Sequence, residues 1–227
     1  MAAFLDVAAA FDKVWHDGLI AKLSHLLPTN ACSLLRCYLT NRTFYVTRDG
    51  ADSTYRTIAA GVPQGSILGP LLYTLYTPDI PTPPPPTMLA TFADDTALLT
   101  PSPSYSEAII PTNAALAEFS SWAKRWKIAV NSSKSVHVDY ALRPHGYEPL
   151  YLDGTAIPHS TSARYLGIHL DQRLTYKEYI DSKKKELNIR FRRMSWLLSP
   201  KSPISQRNKR LLYLTVLRPV WAFGSQL

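Results

Sequence analysis

Residues 88–92 and 96–100 form two short apolar runs, and between them stand Ala93, Asp94 and Asp95. Two such runs, this close, read as antiparallel strands joined by a tight turn. A third segment, Ala2-Ala3-Phe4-Leu5-Asp6-Val7, is equally apolar and carries one carboxylate near its end. Burying an unpaired carboxylate is expensive, so such groups are paired, protonated or bound to a metal. The hairpin itself contains no Lys or Arg. If the three strands are neighbours, Asp6, Asp94 and Asp95 converge without local counter-charge, and a divalent cation is the natural partner. All-oxygen ligands from few protein groups suit Mg²⁺, which keeps waters and takes further oxygens from substrate phosphates. Two such ions ~3.5–4 Å apart stabilise both the attacking and the leaving oxygen of an in-line phosphoryl displacement. For an isolated Asp-Asp a plain polar turn is the simpler reading; its setting between apolar strands argues against it.

The rest of the chain gives this hairpin a scaffold. A chain of 227 residues can bury a substantial core, as one large domain or one with a satellite. Hydrophobic residues make up 46%, which argues for a folded chain rather than a disordered one. No apolar run approaches the roughly 20 residues that span a bilayer, and Asp6 and Asp12 interrupt any signal-peptide pattern. Cys32 and Cys37 read as buried reduced thiols of an intracellular protein. Helices are expected over 17–27 and 31–39, with Pro28 between them, and a hairpin over 43–59 around Asp49-Gly50. A helix over 66–76 follows, then an extended proline-rich connector at 81–86. Leu116, Phe119, Trp122, Ala123 and Trp126 mark one face of a further helix, whose start Pro111 is expected to delay. Strands at 135–140, 150–152 and 165–171 and helices at 176–198 and 203–221 complete an α+β pattern. In this pattern a small antiparallel sheet with covering helices is followed by a helical region.

Charge is divided unevenly. Residues 1–171 hold 12 Lys/Arg against 14 Asp/Glu, whereas residues 172–227 hold 13 against 3. A near-neutral body with a basic C-terminal segment suggests that this segment holds a polyanion. A solubilising helix face is the alternative.

Several ordered segments then resemble the palm of reverse transcriptases from jockey-like non-LTR retrotransposons. Phe4-Leu5-Asp6-Val7-Ala8-Ala9-Ala10-Phe11-Asp12-Lys13-Val14-Trp15-His16 is similar to the first palm motif, and Gly61-Val62-Pro63-Gln64-Gly65-Ser66-Ile67-Leu68-Gly69-Pro70 to the second. Phe92-Ala93-Asp94-Asp95 resembles the aromatic-x-Asp-Asp box. Trp126-Lys127-Ile128 with Asn131 and Lys134-Ser135 resembles the fourth motif, Tyr165-Leu166-Gly167 the primer grip, and Arg218-Pro219-Val220 a stretch of the thumb.

The resemblance implies an RNA-directed DNA polymerase, with a palm over 1–171 and an incomplete basic helical thumb over 172–227. It implies Asp6 and Asp94 as metal ligands with Asp95 a weaker one, and two Mg²⁺ ions, Mn²⁺ being the alternative. Phe11 is implied as the gate against a ribonucleotide 2′-hydroxyl. Gln64 and Gly65 are implied beside the incoming nucleotide, and Lys134 beside the leaving pyrophosphate. Asp12 reads as structural. Tyr165, Leu166 and Gly167, together with Lys183, Lys184, Lys185, Arg190, Arg192 and Arg193, are implied to hold nucleic acid. Partners would be an RNA template, a DNA primer and deoxynucleoside triphosphates, in the nucleus or cytoplasm, with no membrane. Ala8 and Ala9 depart from the charged residues common at those positions. Met1 lies five residues before Asp6, so the fingers, which the family carries upstream, are expected to be missing, and the chain reads as a fragment. A catalytically inert nucleic-acid-binding remnant, a metal-dependent nuclease and a structural protein with a basic docking tail are the alternative readings.

Overall fold

A computed structural model describes residues 1–141 and 148–225. The architecture is α+β: small antiparallel sheets followed by several helices. The chain divides into two compact units, the first comprising Met1–Asp139 and continuing to Ser160, the second chiefly Thr161–Leu227.

In the first unit β1 (Ala2–Val7) leads to α1 (His16–Leu23) and α2 (Thr29–Leu39). Next come four two-residue strands, β2 (Thr43–Phe44), β3 (Thr47–Arg48), β4 (Ala51–Asp52) and β5 (Arg56–Thr57). They form one hairpin, β2 pairing β5 and β3 pairing β4. Asp49 and Gly50 turn it with φ of 52° and 80°, the twist that a two-residue hairpin favours. α3 (Leu68–Tyr76), β6 (Met88–Phe92), β7 (Asp95–Leu99), α4 (Tyr105–Arg125), β8 (Val130–Val138), β9 (Leu150–Leu152) and β10 (Thr155–Ile157) follow. β6, β7, β1 and β8 make the central sheet in that order.

Alternation along β1 sets the layers. Ala3 and Leu5 join a core with Leu98 and with Ile109, Leu116, Phe119 and Trp122 of α4. Asp6, one residue beyond Leu5, belongs to the opposite side of the pleat. A second core gathers Val14, Leu19, Leu23, Val62, Leu72, Tyr73 and Tyr76. Trp126 and Ile128 pack against both cores, and the Lys22 ammonium lies 3.6 Å from the Trp126 ring centroid. It also donates to Asp79 at 2.5 Å. Burial lowers the Lys22 pKa, against the hydrogen bond and charge of Asp79.

Pro111 does not delay α4, contrary to expectation. The helix begins at Tyr105, where the Ser104 hydroxyl caps it by accepting from the Glu107 N–H at 3.3 Å. Pro111 forfeits one backbone hydrogen bond, to the Glu107 carbonyl. The buried stripe from Tyr105 through Ile109, Leu116 and Phe119 outweighs that loss. Both cysteines are free, but only Cys32 is buried; Cys37 is exposed.

The second unit starts with β11 (Ser162–Tyr165) and β12 (Ile168–Asp171). These divide the single strand expected over 165–171, because Leu166 and Gly167 form a turn with φ of 49° and 80°. α5 (Lys177–Leu198) and α6 (Gln206–Leu212) follow, then a π-helical segment at Tyr213–Leu217 and α7 (Arg218–Ala222). The π-helical segment lies inside the helix expected over 203–221, which runs from Gln206 to Ala222, and it ends just before Pro219. That proline lacks an N–H and crowds the carbonyl four residues back, and a wider turn accommodates it. Among the described residues no helix is long and apolar enough to cross a membrane.

Candidate active site

β1 and β7 run antiparallel with Asp6 directly opposite Asp95. On the other side of β7, Phe92 pairs Asp95, so Ala93 and Asp94 form a two-residue turn. Ala93 takes φ 52°, as the first central residue of a II′-type hairpin turn does. Phe92, Ala93 and Asp94 are exposed, while Asp6 and Asp95 are half-buried. Like charges directly opposed across strands are destabilising, so this register makes a place suited to a cation. Neither Asp6 nor Asp94 enters an ion pair among the described residues. No three His, Cys, Asp or Glu side chains among those residues are gathered into a group that could hold a metal. The register therefore supplies two opposed carboxylates and an adjoining one, not a closed three-ligand set.

A second strand completes this edge. β8 pairs the other side of β1, and Asp6 opposes Asn131 there. The backbone N–H of Asp6 donates to the Ser135 hydroxyl at 3.1 Å. Lys134, next to Ser135, is exposed.

Phe11 and Gln64 are brought together by main chain. Val62 N–H donates to the Phe11 carbonyl at 2.7 Å and Gly61 N–H to the Val14 carbonyl at 2.8 Å. The Gln64 amide donates to Asp12 at 2.8 Å. Gly61 has φ 93°, and a Cβ there would stand 2.6 Å from the Asp12 backbone, so no larger residue fits this seam. Gly65 has φ 81° with open space around it, so backbone conformation alone favours glycine there.

The Phe11 ring lies 4.8 Å from that of Tyr73, tilted by 31°. Tyr73 is buried. Burial, then the charge of Asp94, then Tyr76 push its hydroxyl up to about 12. Tyr73 thus packs against Phe11 and feels the charge of the turn carboxylate Asp94. Sequence reasoning passed over it because its spacing from Leu72 and Tyr76 is that of any apolar helix face. Ser135 stands in the fourth motif, but its hydrogen bond with Asp6 could not be read from the sequence, since it depends on strand register.

In the second unit Tyr165, Leu166 and Gly167 occupy the β11–β12 turn region. On α5, Lys183 and Arg190 are both tied to Glu186, whereas Lys184, Lys185, Arg192 and Arg193 are exposed. Trp196 of α5 is 71% exposed. Lys183 and Lys184 line a cavity of about 350 Å³ with Tyr179, Trp221 and Phe223.

Comparison with known proteins agrees with this geometry. Residues 1–170 match the family described as reverse transcriptase (RNA-dependent DNA polymerase). The chain is 41% identical to a probable RNA-directed DNA polymerase from transposon X-element of Drosophila melanogaster, covering 99% of this chain and 25% of that protein. It is 39% identical to the RNA-directed DNA polymerase from mobile element jockey of the same species, over 100% of this chain and 25% of that protein. It thus spans about a quarter of the length of these curated relatives. Among solved structures, a truncated apo telomerase from Candida tropicalis shares the fold, with TM-score 0.50 and 13% identity over 78% of this chain and 34% of that one. The ordered motifs, the sheet that aligns their aspartates and the match over most of its length show that the chain belongs to the reverse transcriptase family, as a homologue of the jockey-like non-LTR retrotransposon enzymes.

Proposed function

We propose that this chain is the catalytic core of an RNA-directed DNA polymerase, transferring a nucleotide from a deoxynucleoside triphosphate to a primer 3′-hydroxyl. The observation that carries the proposal is the register setting Asp6 opposite Asp95, with Asp94 in the adjoining turn. Mg²⁺ draws only one or two carboxylates from a protein and completes its shell with water and phosphate oxygens, so this open donor set fits it. Asp6 and Asp94 would be the principal ligands and Asp95 a weaker one. Two Mg²⁺ ions, or Mn²⁺ in their place, would when bound activate the 3′-hydroxyl and offset charge on the departing pyrophosphate.

The chain's own residues then position the reactants, which is most of the catalysis in phosphoryl transfer. Phe11 bars a 2′-hydroxyl, with Tyr73 behind it. Gln64 and Gly65 pack beside the incoming nucleotide, and Lys134 neutralises the leaving group. Residues 1–171 act as palm and contribute Tyr165, Leu166 and Gly167, residues 172–227 act as thumb and contribute the basic side chains of α5, and these two sets hold the primer–template. The setting is intracellular, in the nucleus or cytoplasm.

Primer extension on an RNA template tests this reading. Extension that requires deoxynucleoside triphosphates and Mg²⁺ is expected from the full-length element. Degradation of a labelled duplex without triphosphates would favour a nuclease, and binding without extension an inert remnant. Thumb binding has its own signature. If Lys184, Lys185, Arg192 and Arg193 each neutralise one phosphate, their contacts weaken binding about 10²-fold between 50 and 200 mM salt. Reversing Arg192 and Arg193 to Glu should flatten that dependence in a filter-binding titration, and an unchanged slope would remove them from the interface.

A further inference from the structure

β1 and β8 begin in one register and end in another. Ala2, Ala3 and Phe4 pair with Val138, His137 and Val136, whereas Asp6 and Val7 pair with Asn131 and Val130. The two steps from Phe4 to Asp6 therefore face five steps from Val136 to Asn131, which gives β8 three extra residues. Continued unbroken, the first register would set Lys134 directly opposite Asp6. Directly opposed side chains of an antiparallel pair share one face, ~4.5–5.5 Å apart at Cβ, where ammonium and carboxylate form an ion pair. The bulge prevents this. Lys134 is exposed, and neither it nor Asp6 enters an ion pair among the described residues.

The irregular stretch is closely tied down. Asn131 Oδ1 accepts from the Ser133 N–H at 3.1 Å, the Ser133 hydroxyl at 2.7 Å and the Lys134 N–H at 3.3 Å. The Ser135 hydroxyl, fully buried, accepts from the Asp6 N–H and donates to the Asn131 carbonyl at 2.8 Å. A bulge held by five hydrogen bonds is a defined conformation rather than a frayed strand. Bulges often sit beside active sites, where they re-aim a side chain.

We propose that Asn131 and Ser135 are positioning residues: they lock a bulge that holds Lys134 out of register with Asp6, leaving the carboxylate open to a divalent cation and the lysine open to the leaving phosphate. This rests on the reading of Asp6 as a metal ligand. Loosening the lock lets the strand return toward its first register, so that Lys134 competes with the cation for Asp6.

Mn²⁺ binding to the full chain, followed by the EPR signal of the free ion, tests the competition. Asn131→Ala should weaken binding about fivefold, the equilibrium equivalent of one surface ion pair. Adding Lys134→Met should restore it. Ser135→Ala should behave like Asn131→Ala, and Ser135→Thr, which keeps the hydroxyl, like the unaltered chain. Brief acetylation read by mass spectrometry gives a metal-free measure: Lys134 should become protected in Asn131→Ala and reactive again when Asp6→Asn is added. The proposal is overturned if Asn131→Ala binds Mn²⁺ normally, if Lys134→Met does not relieve its loss, or if Lys134 stays fully reactive in Asn131→Ala. If Asp6→Asn alone leaves Mn²⁺ binding intact, Asp6 is not a ligand and the functional reading fails; the acetylation pattern would still report the register.

Discussion

Asp94→Ala in the full-length element is expected to lower primer extension on RNA by on the order of 10³-fold, the loss that follows when a principal electrostatic contact to a developing charge is removed. Asp94 is exposed in a two-residue turn and makes no ion pair among the described residues, so its removal should cost little stability. Asp6→Asn is the companion. It too should abolish extension, while relieving the opposition of two carboxylates across β1 and β7. Like charges so placed are destabilising, so the Asp6→Asn chain should unfold at an equal or slightly higher urea concentration. Lost activity with undiminished stability separates a chemical role from a folding one. Extension that survives Asp94→Ala would remove Asp94 from the chemistry.

Acid should destabilise this fold through one buried imidazole. His137 lies on β8, 1% exposed, with its ring centroid 5.0 Å from that of His159. Burial, then the charge of His159, depress its pKa from 6.5 to about 4. The unfolded chain therefore takes up this proton near pH 6.5, and the folded chain only near pH 4. The contribution is fully present above pH 6.5 and is lost as pH falls through the window to about 4, amounting to about 3 kcal/mol. Urea unfolding at pH 7, 5.5 and 4.5 would show the slope. His137→Gln should flatten most of it, and an unchanged slope would place the acid sensitivity elsewhere.

Local chemistry made much of this fold readable. Asp49-Gly50 announced its hairpin because few residue pairs accept those angles, and the α4 stripe announced its buried face. Asp6 and the Asp94-Asp95 pair stood out because carboxylates among apolar residues demand an explanation. What could not be read was decided at a distance. Pro111 within α4 shows tertiary burial overriding local preference. Leu166 adopts φ 49°, which a leucine seldom does, so nothing in its side chain warned of a turn. The bulge opposite Asp6 is a property of two strands more than a hundred residues apart. Tyr73 was hidden for the opposite reason: its pattern was legible as core, and that reading is correct as far as it goes.

The seam between residues 11–14 and 61–64 carries a consequence of another kind. Phe11 and Val14 are fastened there by their carbonyl oxygens, atoms that every amino acid possesses. Mutation can rewrite the side chain at position 11 without unpicking the stitch that holds its backbone in place. In the polymerase reading, the trait that separates deoxyribose from ribose is then a single codon mounted on an invariant peg. A copying element could gain or lose that discrimination in one step and keep its fold.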